Sequence, residues 1–131
     1  MKLALDEAGY GKDDVLYINA HGTGTHLNDA SETQAYKLAL GDDAYKAHIT
    51  SIKSMTGHML GAAGAAEAIA TVLSLKEGIV TPTINLDTPD PECDLDYTPN
   101  KAQKHPFTLG ISDSLGFGGH NACIAFRKFE G

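Results

Sequence analysis

Basic side chains are scarce in this sequence. Ten lysines and arginines stand against 17 aspartates and glutamates, for a formal net charge of −7. With no basic stripe to neutralise phosphates, nucleic acid is excluded as a partner, and an anionic membrane surface is disfavoured for the same reason. Long apolar runs are also missing: nothing approaches the roughly 20 apolar residues that span a bilayer. Met1 to Tyr10 mixes lysine, aspartate and glutamate into its apolar residues, unlike a secretory signal. Cysteine is limited to Cys93 and Cys123, far apart and without metal-ligand spacing. Neither a disulfide nor a zinc site is expected, and a reducing cytoplasm is the expected location. No repeat recurs at solenoid spacing.

What is there suits one globular domain spanning residues 1–131, with 42% hydrophobic and 21% charged residues. A helical rhythm (Leu3, Ala4, Leu5, Ala8) ends at Gly9 and Gly11. The continuous apolar run Val15 to Ile18 is that of a central parallel strand. Asn28 or Asp29 is expected to cap a helix running to about Leu40, with Ala35, Leu38 and Ala39 on its packed face. Ala47 to Ile52 makes a second strand. From about Leu60 to Lys76 comes a helix whose first half is nearly bare of side chains. Glycine inside a helix costs about 1 kcal/mol relative to alanine, so Gly61 and Gly64 suggest close approach to another backbone. Leu60, Ile69, Val72, Leu73 and Leu75 are the expected packing face. All five prolines fall between Thr81 and Pro106, an irregular excursion. Phe107 to Ile111 and Ala122 to Phe126 read as strands pairing antiparallel around a loop from Ser112 to Asn121. The class is α/β with a mixed sheet, βαβαββ, and covering helices.

Two histidines carry the chemistry. His21 lies in Asn-Ala-His-Gly-Thr-Gly-Thr and His58 ends Ser-Ile-Lys-Ser-Met-Thr-Gly-His, 37 positions later. Each follows an apolar strand and precedes a helix, so loops from neighbouring parallel strands bring both to one sheet edge, where open α/β folds bind ligands. Lys53, at the end of the second strand, belongs to the same edge. The glycines of Gly22-Thr23-Gly24 lack a full dinucleotide or phosphate-loop fingerprint, and Gly116 to Gly119 is flanked by strands. His21 and His26 lack a third ligand at metal spacing, so no metal is assigned to them. His26, His48, His105 and His120 read as surface or loop residues.

Those two segments, with Gly-Ala-Ala-Gly-Ala-Ala-Glu, Pro-Thr-Ile-Asn-Leu-Asp and Gly-Phe-Gly-Gly-His-Asn, resemble in order the C-terminal half of the type II β-ketoacyl-[acyl-carrier-protein] synthases, condensing enzymes of the thiolase fold. The resemblance runs over essentially the whole chain. It implies decarboxylative condensation of malonyl and acyl thioesters in fatty acid biosynthesis, with His21 and His58 as neutral donors to the enolate oxygen. Lys53 matches the family lysine, whose charge keeps His58 neutral. Thr23 and Thr25 match contacts to the phosphopantetheine arm. Phe117 matches the aromatic gate of the acyl pocket, its N–H contributing to an oxyanion hole. Asn19, Glu67, Ser112 and Asp113 match a buried polar cluster that in some relatives holds a cation. Asp113 stands where the family usually has asparagine, and Leu115 where it has phenylalanine. No cofactor is required beyond that candidate structural cation. The implied partners are acyl carrier protein, an N-terminal half bearing the nucleophilic cysteine, and a second copy in a homodimer. Neither Cys93 nor Cys123 matches that nucleophile. The chain is therefore expected to be a piece of a synthase, inactive in condensation alone, or else a thioester-binding or assembly subunit paired with a cysteine-bearing chain.

Overall fold

The computed structural model describes residues 1–129. A four-stranded mixed sheet organises it, in the order β2-β1-β5-β6. Strands β1 (Leu16–Asn19), β2 (His48–Thr50) and β5 (Leu109–Gly116) run parallel, and β6 (His120–Arg127) returns antiparallel to β5. Alternation along β1 divides the core. Leu16 and Ile18 pack with Leu109, Ile111 and Ile49 under helices α1 (Lys2–Glu7) and α2 (His26–Leu40). Tyr17 faces the other way, toward Phe107, Val80 and Leu75 of helix α4 (Ala63–Glu77). β1 is buried at every position, as a central parallel strand covered on both faces must be.

The sequence misplaced several local features. Helix α2 begins at His26, with Thr25 as its extended cap residue, rather than at Asn28 or Asp29. Asp29 instead reaches back from inside the first turn to accept the Gly24 N–H at 3.3 Å. Leu38 and Ala35 face solvent, and the buried face carries Glu32, Thr33, Tyr36 and Leu40. Residues 112–121 are not a loop: β5 and β6 continue as a hairpin to Gly116↔His120. Only Phe117, Gly118 and Gly119 turn, with φ of 79° and 82° at the two glycines, a conformation that glycine adopts without steric cost. Between Thr81 and Pro106 the chain is not wholly irregular, because β4 (Gln103–Lys104) pairs with β3 (Ile79–Val80). His48 is no loop residue. It opens β2, largely buried, with its ring stacked 3.6 Å from that of His105.

Most of the expected packing face of helix α4 is not the buried one. Ile69, Val72 and Leu73, with Leu60 ahead of the helix, are exposed, while Leu75 is buried as expected, together with Ala63, Glu67, Thr71 and Ser74. Spacing of three and four places these small and polar residues in one stripe, and Gly110 of β5 receives it. A Cβ at Gly110 would lie 2.9 Å from both Thr71 Cγ2 and Leu75 Cδ1. The close approach thus falls at Gly110; Gly61 meets nothing within 4 Å, and Gly64 meets only Ser114 Oγ at 3.7 Å. Among the described residues no helix is long and apolar enough to cross a membrane.

Candidate active site

His21 follows β1 by two residues, at the end of the sheet where β2 and β5 also finish their parallel runs. His58 follows a single helical turn, α3 (Lys53–Thr56), and Gly57, whose φ of 70° turns the chain back. The two imidazoles meet edge to face, their centroids 5.5 Å apart and their planes at 85°. His58 Nδ1 accepts the Leu60 N–H at 3.1 Å, so that nitrogen carries a lone pair and the ring proton resides on Nε2. His21 is buried, and its Nδ1 has no hydrogen-bond partner among the described residues. Burial, followed by the Lys53 charge, lowers its pKa below the ordinary 6.5.

Lys53 is the first residue of α3 rather than the last of a strand. Its ammonium is buried against the Glu67 carboxylate, and its charge acts on His21. Burial raises the Glu67 pKa and the Lys53 ammonium opposes the rise.

Asn19 joins this side of the sheet, donating from Nδ2 to the Glu67 carbonyl at 3.1 Å, and Ser112 lies beside it in register. Asn19 Oδ1 and Glu67 Oε2 are buried and have no hydrogen-bond partner among the described residues. An all-oxygen set with two orphaned acceptors is compatible with a hard cation. Asp113 does not belong to that cluster. Alternation along β5 turns it to the opposite face, with Tyr36 and Cys123. Both cysteines are free.

Thr23 and Thr25 share a 2.9 Å hydroxyl contact. Thr23 lines a cleft of about 970 Å³ with Gly22, Ser51, Lys53 and Ser54, closed on its far side by residues between Thr83 and Lys101. Phe117 sits at the tip of the β5–β6 hairpin, fully exposed. Register places that tip beyond the end of β1, and the exposed ring makes no aromatic contact with either imidazole among the described residues.

Glu32 was missed in the sequence. Buried on α2, it accepts the N–H groups of His21 (2.7 Å) and Gly22 (2.9 Å), fastening the loop to the helix that follows it. Ser51 ties the same loop to the second strand, donating to the Gly22 carbonyl at 2.6 Å. Gly22 has φ of 42°, and a Cβ there would stand 2.4 Å from Ser51 Cβ. A turn leaving a buried strand needs acceptors for its own amides, and a carboxylate on the inner face of the next helix was the signal to look for.

Comparison with known proteins accords with this arrangement. Residues 1–87 match the family model for the β-ketoacyl synthase, C-terminal domain. The chain belongs to the β-ketoacyl synthase family. It is 53% identical over 130 residues to the 3-oxoacyl-[acyl-carrier-protein] synthase 2 of Staphylococcus aureus (strain COL), covering 99% of this chain and 31% of that one. The synthase 2 of Synechocystis sp. (strain ATCC 27184 / PCC 6803 / Kazusa) is 52% identical over 127 residues, 97% of this chain and 30% of its own. Among solved structures, a β-ketoacyl synthase from Burkholderia phymatum STM815 superposes with a TM-score of 0.90 at 38% identity, over 99% of this chain and 31% of that one. The AntDE:AntF complex, a type II PKS acyl-carrier protein with its ketosynthase bound to the hexaketide, gives 0.91 at 44% identity, over 97% and 31%. This β-ketoacyl synthase chain thus spans about a third of the length of its relatives, and its α/β architecture with a mixed sheet is theirs.

Proposed function

We propose that this chain supplies the two-histidine part of a 3-oxoacyl-[acyl-carrier-protein] synthase centre of fatty acid biosynthesis. Loss of carbon dioxide from a malonyl thioester leaves the electron pair of the broken C–C bond as an enolate, with its charge on the thioester oxygen. Preorganised N–H donors aimed at that oxygen stabilise the charge where it develops. His58 offers Nε2–H, because its Nδ1 is occupied as an acceptor. His21, held neutral by burial and by Lys53, offers the second N–H. The carbanion then attacks the carbonyl of an acyl thioester on a cysteine carried by a complementary segment, forming the C–C bond as the C–S bond breaks and the cysteine leaves as thiolate; neither Cys93 nor Cys123 replaces that cysteine.

The edge-to-face imidazole pair is the observation that carries this reading. Thr23 and Thr25, on the loop that carries His21, would contact the phosphopantetheine arm of an acyl carrier protein, and two free cysteines suit a reducing cytoplasm. If a structural cation binds, Asn19 Oδ1 and Glu67 Oε2 would hold it, with Ser112 beside them, and it would supply charge compensation only.

The test places this chain in a full-length synthase of the family, in exchange for the corresponding third, and assays decarboxylation and carbon–carbon bond formation separately. His21→Ala and His58→Ala should each lower malonyl decarboxylation by about 10²-fold or more, the usual cost of a lost oxyanion donor. Decarboxylation unchanged in both variants would refute the role.

A further inference from the structure

Thr50, the last residue of β2, and Ser51 after it bracket His21. The Thr50 carbonyl accepts the Ala20 N–H at 2.8 Å, and the Ser51 hydroxyl donates to the Gly22 carbonyl at 2.6 Å. Both meet a side chain from the proline-bearing excursion, Thr83. Its hydroxyl oxygen accepts the Ser51 N–H at 3.1 Å and lies 3.4 Å from the Thr50 hydroxyl.

Thr83 is itself fixed. Its N–H donates to the Thr98 carbonyl and its carbonyl accepts the Asn100 N–H, both at 2.9 Å, while the Thr98 hydroxyl donates to the Ile49 carbonyl of β2 at 2.9 Å. One residue on, the Ile84 N–H donates to the Ser54 hydroxyl at 3.0 Å, which donates to the Ser51 carbonyl at 2.9 Å. Ser51 therefore has its amide on Thr83, its carbonyl on Ser54 and its hydroxyl on the His21 loop. The Pro-Thr-Ile-Asn-Leu-Asp segment, so far without a role, supplies two of these holds.

We propose that Thr83 is a positioning residue for His21, acting through Ser51. The placement stands on the hydrogen bonds; its consequence for the reaction rests on the role proposed above for His21.

The contact leaves little slack. Ser51 is buried, and a Cβ at Gly22 would stand 2.4 Å from Ser51 Cβ and 2.6 Å from Ser51 Oγ. Close-packed groups transmit a shift rather than absorb it. Without the Thr83 hydroxyl the Ser51 N–H is left without its acceptor, a costly state for a buried amide. The Ser51 peptide must then turn toward another partner, and its hydroxyl carries the Gly22 carbonyl, one residue after His21, along with it.

The test compares Thr83→Val, which keeps the shape and loses the hydroxyl, with Thr83→Ser, which keeps the hydroxyl. In the full-length exchange protein described above, Thr83→Val should lower kcat for malonyl decarboxylation about 10-fold while KM stays within about twofold. Thr83→Ser should recover most of that loss. Ser51→Ala should lower kcat to a similar degree, and adding Thr83→Val to it should lower kcat no further, because the link is already cut. Asn100→Gly is the control. It frees Leu86 and Asp87 within the excursion, touches neither Ser51 nor Ser54, and should leave kcat unchanged. In NMR spectra of this chain at constant pH, the His21 ring protons, which lie beside the His58 ring, should move in Thr83→Val and Ser51→Ala but not in Thr83→Ser or Asn100→Gly. Equal losses in Thr83→Val and Thr83→Ser, additive losses in the double variant, or His21 resonances that stay in place would each overturn the proposal. Should Thr83→Val not fold, unmoved His21 resonances in Ser51→Ala overturn it alone. If the resonances move as expected but His21→Ala leaves decarboxylation unchanged, the catalytic reading fails and the positioning holds.

Discussion

His21 and His58 stand ring edge to ring face, with 5.5 Å between centroids and 85° between planes, while burial and then the Lys53 charge hold His21 neutral. The His21 pKa is depressed, so the folded state binds fewer protons than the unfolded one just below pH 6.5. Its contribution to stability is fully present above the unfolded value and is lost as pH falls through the folded value. An NMR titration should find the His21 midpoint below 6.5, and in Lys53→Met/Glu67→Leu it should move upward yet remain depressed, because burial is the larger cause.

Lys53 and Glu67 form a buried pair, their side chains 4% and 1% exposed. Removing one partner strands the other charge away from water. Lys53→Ala should destabilise the chain by about 3–5 kcal/mol, whereas Lys53→Met/Glu67→Leu should recover most of that loss. Denaturant unfolding of both variants checks the difference, and equal destabilisation would contradict it.

Arg127 pins helix α1 to the sheet edge. Its guanidinium donates twice to Asp14, at 2.8 Å each, and to the carbonyls of Ala8 (2.7 Å) and Gly9 (3.0 Å). Arg127→Ala should cost about 1–2 kcal/mol, a figure reduced for its partial exposure. The Arg127 hydrogen bonds, above other causes, hold Asp14 well below its ordinary 3.8. The wild type should therefore keep this contribution above that value and lose it as pH falls further. Acid-unfolding curves of the two proteins should converge at low pH.

Ile69, Val72 and Leu73 leave the outer face of α4 apolar and exposed, and Leu60 is exposed just ahead of it. An apolar strip of this kind favours self-association. Light scattering should find the isolated chain oligomeric, and Ile69→Glu/Leu73→Glu should shift it toward monomer while changing stability by no more than about 0.5 kcal/mol per site. A monodisperse wild-type monomer would contradict this expectation.

Local chemistry was legible where one residue decides a conformation or a periodicity. The apolar run Val15 to Ile18 and the glycines after His21 and before His58 placed two strands and two loops at one sheet edge, and with them the imidazole pair. Faces and partners were not legible, because they depend on what the rest of the chain puts opposite. Hydrophobicity marked Ile69, Val72 and Leu73 as core along with Leu75, but the bare backbone of Gly110 admitted Leu75 and Thr71 and left the other three outside. Lys53 read as a residue at a strand end until Glu67, 14 positions away, supplied its counter-charge. Glu32 looked like any helical glutamate. Only folding brought the His21 and Gly22 amides to it, since a buried carboxylate is stable where donors converge from distant parts of the chain. Asp113 was assigned to the Lys53 side and belongs to the other, for the pleat of β5 sends successive side chains to opposite faces.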